Sequence, residues 1–114
     1  MIYLSHPLTT GSRSFEENRA SAARLAGLIQ KHVGTESFVF NPCATTVPGW
    51  SHDDYMRLYG EMFRSGAVKR VAFCPGWRES VGCRMEWIAA MVAKIPMFEV
   101  GEVEGYFICK EIQP

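Results

Sequence analysis

Residues 69–86 read Lys69-Arg70-Val71-Ala72-Phe73-Cys74-Pro75-Gly76-Trp77-Arg78-Glu79-Ser80-Val81-Gly82-Cys83-Arg84-Met85-Glu86. Lys69 to Cys74 is a short β-rich apolar run and predicts a strand. Pro75-Gly76-Trp77 breaks it, because proline lacks an amide donor and glycine accepts turn geometry. Ser80 then caps a helix whose apolar side includes Trp87, Ala90 and Met91 and which Pro96 ends. Glu86 falls about two turns inside that helix, at the end of a Ser80-x-Gly82-x-x-x-Glu86 spacing.

The same strand–loop–helix step recurs on the N-terminal side. Ile2 to Ser5 is a β-rich run that passes at once into the turn-rich His6-Pro7-Leu8-Thr9-Thr10-Gly11-Ser12. Ser14-Phe15-Glu16-Glu17 has the form of a capping box, with Leu25, Leu28, Ile29 and His32 or Val33 at helical spacing after it and Gly34 as the stop. Ser37 to Phe40 predicts a second strand closed by Asn41-Pro42, and residues 43–51 read as a loop. Ser51 or Asp53 caps a helix with Tyr55, Leu58, Tyr59, Met62 and Phe63 on one face, ended by Gly66. On the C-terminal side, Met97 to Val100 and Tyr106 to Ile112 are the last strands, with a turn between Gly101 and Gly105.

Strands alternating with helices predict an α/β fold with a mainly parallel sheet of about five strands, covered on both faces by right-handed crossovers. Ligands of such sheets bind beyond the carboxyl ends of the strands. Those ends carry the loops of unusual composition: His6 to Gly11, Asn41 to Trp50, and Pro75 to Gly82.

The 114 residues amount to a single domain over 1–114, and 47% of them are hydrophobic, enough for a core. Lys plus Arg equals Asp plus Glu at 12 each, so no net field draws the chain to nucleic acid or to a membrane. A neutral chain also associates readily with itself. Cys43, Cys74, Cys83 and Cys109 have no C-x-x-C spacing, so neither a zinc site nor any other metal is expected, and no cofactor. Absence of a disulfide framework, of a signal peptide and of a long apolar run places the expectation in the cytoplasm.

Taken in order, three elements carry a resemblance: a short strand with a Pro-containing loop, an Asn-Pro after the second strand, and Pro75-Gly76-Trp77-x-x-Ser80-x-Gly82-x-x-x-Glu86 after the third. Together they resemble the nucleoside 2-deoxyribosyltransferase superfamily, above all its short phage and bacterial members of uncharacterised function. The likeness spans roughly residues 2–98. It implies a flavodoxin-like or Rossmann-like three-layer sandwich, and cleavage or transfer at the N-glycosidic bond of a (deoxy)nucleoside or nucleoside monophosphate. It implies that Glu86 is the nucleophile, forming a glycosyl-enzyme that yields its sugar to a second base or to water. A carboxylate suits that role, since it can stabilise or trap an oxocarbenium-like centre. Tyr3 and the loop from Ser5 through His6 and Pro7 to Gly11 match the first loop that touches sugar and base. A neighbouring subunit completes the pocket in that family, which implies a homo-oligomer, a dimer or larger. Three positions depart from the pattern. His6-Pro7 replaces Gly-Pro, and Lys69 replaces an aspartate. The helical aspartate that assists the leaving base aligns without a gap on Glu61, and with a gap on Tyr59.

Each candidate also has a plain reading. Glu86 and Glu61 are otherwise solvated helix glutamates. Ser80 is a cap, which alone is worth about 1 kcal/mol, and Ser80, Gly76 and Gly82 with the helix-start amides are the candidate phosphate or sugar contacts. His6 binds phosphate or is a loop histidine. Asn41 closes a strand or contacts substrate. Trp50 and Trp77 stack on a nucleobase or cover the core. Because the departures fall on site positions, a non-catalytic nucleotide-binding or interaction protein that keeps the scaffold stands as the alternative.

Overall fold

The computed structural model describes residues 1–9 and 13–113. In chain order the elements are β1 (Ile2–Ser5), α1 (Phe15–Val33), β2 (Val39–Phe40), α2 (His52–Arg64), β3 (Arg70–Phe73), α3 (Val81–Val92), β4 (Met97–Val103) and β5 (Tyr106–Ile112). Short 3-10 turns occupy Pro42–Ala44 and Trp77–Glu79.

Local chemistry sets the helix starts. Ser14 Oγ accepts from the Glu17 amide at 3.1 Å, and the Glu17 carboxylate accepts from the Ser14 amide at 3.0 Å. Ser51 and Asp54 form the same reciprocal cap on α2, so Ser51 rather than Asp53 is its N-cap. Ser80 Oγ accepts from the Cys83 amide at 3.3 Å on α3. The second strand is shorter than its β-rich run predicts. The Gln30 side chain donates to the carbonyls of Gly34 and Ser37 and accepts from the Val39 amide, so it takes the place of a strand neighbour there.

The strands lie in the order β2-β1-β3-β4-β5. β1 pairs parallel with β2 and β3, and β3 pairs parallel with β4. β5 returns antiparallel to β4 over the whole register from Met97↔Ile112 to Val103↔Tyr106. The sheet is therefore mixed, which corrects the expectation of a mainly parallel one. Glu104 and Gly105, with φ of 52° and 82°, make a two-residue hairpin that returns the chain beside itself, whereas a parallel neighbour would require a long crossover.

Strand alternation sends side chains to two cores. Ile2, Leu4, Ala72, Cys74 and Val100 pack against Ala22, Leu25 and Ile29 of α1. Tyr3, Val71, Phe73 and Met97 pack on the opposite face against Phe63 of α2 and against Cys83 and Ala90 of α3. Fully burying an aliphatic side chain of this size contributes about 1.5–3 kcal/mol, so both helical layers are firmly held. Among the described residues no helix is long and apolar enough to cross a membrane. From β1 the chain moves outward to β2, and it re-enters on the other side of β1 as β3. That reversal opens a crevice at the carboxyl ends of β1 and β3.

Candidate functional site

Side chains on an α-helix lean toward its N-terminus, over the residue four earlier. For Glu86 that residue is Gly82, which has no side chain, so the carboxylate meets no obstacle on its own helix. Tyr3 and Ser5 are two apart on β1 and so share the sheet face that α3 covers. The Tyr3 hydroxyl donates to Glu86 Oε2, and Ser5 Oγ donates to Glu86 Oε1 at 2.8 Å. Tyr3 and Ser5 are buried, whereas Glu86 keeps one open side.

No cation pairs with Glu86 among the described residues. Burial pushes its carboxyl up to about 7, against the opposing pull of the hydrogen bonds from Tyr3 and Ser5. At neutral pH this acid is poised between its two states.

Glu86 forms part of the wall of a cleft of about 360 Å³. Leu8, Phe15 and Arg19 line it from the first loop and α1, and Pro42, Cys43, Thr45 and Thr46 from the segment after β2. His52, Tyr55, Met56 and Tyr59 of α2 face them, with Gly82 and Glu86 of α3. Burial, and then the negative charge of Glu86, raise the Cys43 thiol to about 11 and the Tyr59 phenol to about 12. Both therefore stay protonated at neutral pH. Glu86 is the one carboxylate on the cleft wall among the described residues. No group of three His, Cys, Asp or Glu side chains among them is arranged to hold a metal ion.

The residues singled out from sequence separate into distinct places. Tyr3 and Ser5 meet Glu86 directly, and Gly82 lies beneath it. His6 lines the cleft but uses both ring nitrogens internally: Nδ1 lies 2.6 Å from the Pro7 carbonyl and Nε2 lies 2.9 Å from Ser21 Oγ. With Nδ1–H donating to that carbonyl, Nε2 accepts from Ser21, and burial lowers the pKa of the ring. His6 thus ties the first loop to α1 as a neutral imidazole. Pro7 is buried behind it, 3.6 Å from where a side chain on Gly76 would begin. Thr10 and Gly11 of that loop lie outside the described residues.

Asn41 caps the 3-10 turn after β2, its Oδ1 accepting from the Cys43 amide at 3.0 Å, and so positions Pro42 and Cys43 on the wall. Ser80 is buried and occupied by its cap. Gly76, at φ 84°, starts the 3-10 turn that carries Trp77 away from the cleft. Trp77 packs on Phe73 with ring centroids 4.7 Å apart, and its Nε1 donates to Glu99 at 2.9 Å, so it is a core residue. Trp50 stacks edge-on against Tyr55 at 5.2 Å, outside the cleft lining. Glu61 is exposed near the far end of α2 and pairs with Arg64. The residue of α2 that approaches Glu86 is Tyr59.

Arg19, His52 and Tyr55 escaped the sequence reading as site residues. Tyr55 accepts from the Val47 amide at 2.9 Å and so fixes the loop above the cleft. The available signal was positional: Arg19 lies one turn after Phe15, and His52 directly follows a cap.

No protein-family model matches the chain. No curated protein matches it either.

Proposed function

We propose that this protein cleaves or transfers at the N-glycosidic bond of a (deoxy)nucleoside or nucleoside monophosphate, with Glu86 as nucleophile. One observation carries the reading. A carboxylate without a cation, held at both oxygens by Tyr3 and Ser5, faces an aromatic-walled cleft at the sheet's reversal point. The likeness to nucleoside 2-deoxyribosyltransferases points to the same residue by motif spacing, and a strand order of β2-β1-β3-β4-β5 agrees with a flavodoxin-like, Rossmann-like three-layer sandwich. In the step proposed, a Glu86 oxygen bonds to the anomeric carbon while the C–N bond breaks, and its electron pair leaves with the base, which takes up a proton. Water or a second base then displaces Glu86. Tyr55 and Tyr59 supply aromatic surface for a base.

Mass-resolved incubation with ribo- and deoxyribonucleosides and their monophosphates tests this. Native protein should release free base and Glu86→Gln should not. Undiminished release by Glu86→Gln removes Glu86 from the chemistry.

One observation favours a second reading, ligand binding without turnover: Glu61 stands off the cleft, so no second carboxylate assists a leaving base. Nucleotide binding that Glu86→Gln leaves unchanged, with no base released, would select it.

We also propose a cytoplasmic homo-oligomer. The four cysteines are free thiols, as suits a reducing compartment. Val81, Met85, Ile88 and Val92 recur at intervals of four, three and four along α3 and are 51–75% exposed. That stripe is uncharged and self-complementary, so a second copy of α3 fits it. Light scattering should find a dimer or larger, and Ile88→Asp should yield monomer. A monomeric native protein overturns this part.

A further inference from the structure

Breaking a C–N glycosidic bond leaves an electron pair on the base, and a donor already placed against the base eases its departure as that charge develops. Most of the donors around the cleft are engaged elsewhere. The Tyr3 hydroxyl and Ser5 Oγ donate to Glu86. Tyr55 Oη donates to the Val47 carbonyl at 3.3 Å while accepting from the Val47 amide. Thr45 Oγ1 donates to the Asn41 carbonyl at 3.4 Å, and the Cys43 thiol lies 3.8 Å from the His6 carbonyl. His6 uses both ring nitrogens. Arg19, Thr46 and His52 are on the solvent-exposed part of the wall.

Tyr59 is the exception. It is half-buried on the cleft wall, and its hydroxyl has no side-chain or backbone partner among the described residues. The one fully buried side-chain polar atom left without a partner among them is Trp87 Nε1, so the Tyr59 hydroxyl reaches open space rather than the core. Three rings hold its own ring in place: Tyr3 edge-on at 5.9 Å, and Phe40 and Tyr55 at 6.2 Å each. The hydroxyl is thus a preorganised donor on a fixed ring. Glu86 stands near enough for its charge to act on this phenol, which burial and that charge keep protonated far above neutrality.

From this we infer that Tyr59 is a catalytic residue of the glycosidic step: its hydroxyl donates a hydrogen bond to an acceptor atom of the departing base while Glu86 takes the anomeric carbon. The bond from a Glu86 oxygen to that carbon forms, the C–N bond breaks, and its electron pair stays on the base, where the Tyr59 O–H stabilises it. The phenol keeps its own proton, and water supplies the one that the base takes up. A carboxylic acid in this place would be ionised at neutral pH and could not donate, whereas a phenol still donates. The assignment rests on the proposed glycosidic function for its reaction, but contact between Tyr59 and a base does not need turnover.

Tyr59→Phe tests the assignment, since it keeps the ring and removes only the hydroxyl; its melting temperature, measured in parallel, should match that of native protein. With nucleosides or their monophosphates, kcat should fall about 10²-fold. With 4-nitrophenyl riboside or 2-deoxyriboside, whose leaving group departs as a stable anion, it should fall less than about three-fold. An equal loss on both kinds of substrate, or no loss on either, overturns the role of Tyr59 and leaves the glycosidic function standing. If native protein releases no base, or leaves the nitrophenyl glycosides intact, calorimetric titration of Glu86→Gln protein with adenine, hypoxanthine, cytosine and thymine decides. At least one base should bind, and adding Tyr59→Phe should weaken it about ten-fold. That result from a protein that never releases base keeps the contact between Tyr59 and the base and removes the glycosidic function. Base binding that is absent, or unchanged by Tyr59→Phe, removes Tyr59 from the site.

Discussion

Two glutamates of this molecule are built from similar parts and end in opposite states. Glu86 and Glu99 are each half-buried near the carboxyl end of the sheet. Each accepts a hydrogen bond from an aromatic residue, Glu86 from the Tyr3 hydroxyl and Glu99 from Trp77 Nε1. Beside Glu99, however, Arg78 lies over the Trp77 ring at 4.5 Å and pairs with the carboxylate. The Trp77 hydrogen bond, reinforced by Arg78, holds Glu99 below the ordinary carboxylate range. Glu86 has no such cation, and burial lifts it to about 7. One carboxylate is settled as an anion that fastens a loop to the sheet. The other is held at both oxygens without a cation and lies between its two states near neutrality. Burial leads at Glu86, while the Trp77 hydrogen bond leads at Glu99 with Arg78 adding to it, so depth and the balance of partners together set the two carboxyls apart.

The comparison breaks most visibly in turnover. Glu86→Gln should lower base release by more than about 10³-fold, whereas Glu99→Gln should leave it within about two-fold. Similar losses from both would make Glu86 one structural carboxylate among others.

Stability against pH should divide them next. The folded pKa of Glu86, about 7, lies above its ordinary 4.5, so the fold favours the protonated form. Its contribution is whole below pH 4.5 and is lost as pH rises to 7, by about 3 kcal/mol for a shift of this size. Glu86→Gln should therefore gain in melting temperature relative to native protein as pH rises through that window, and keep a constant gain above it. Glu99, with its lowered pKa, has the opposite sign: its contribution fades as pH falls toward the acid range. A pH-independent difference for Glu86→Gln would show that the carboxyl titrates normally.

The smallest effect sharpens the role of the aromatic donor. Tyr3→Phe keeps the core packing but removes the hydrogen bond that favours the Glu86 anion. The acid limb of kcat/KM should move upward, with about a ten-fold loss at pH 7 that recovers in mild alkali. A loss equal at all pH values would mean that Tyr3 only packs.

The parts of this structure readable in sequence are those with local causes. Ser14 and Ser80 cap the helices their spacing marks, and Tyr106–Ile112 is a strand over the whole of its β-rich run. The Gly82–Glu86 relation was visible too, because both residues lie one turn apart on one helix. The α2 register was not: without a gap the pattern points to Glu61, and only packing against Tyr3 turns Tyr59 inward. Trp77 looked like a platform for a base because its loop follows a strand end, yet Glu99, 22 residues later, draws its indole into the core.

By itself the sequence determined the alternation of strands and helices, the capped starts, and the place of one glutamate on α3, since caps, breakers and helical periodicity act over a few residues. The tertiary structure alone decided what that glutamate is. Its partners Tyr3 and Ser5 stand 83 and 81 residues away on β1, and its raised pKa comes from burial that no neighbour in sequence supplies. Hydrogen-bond partners and desolvation are properties of distance in space, so they exist only once β1, α2 and α3 have packed.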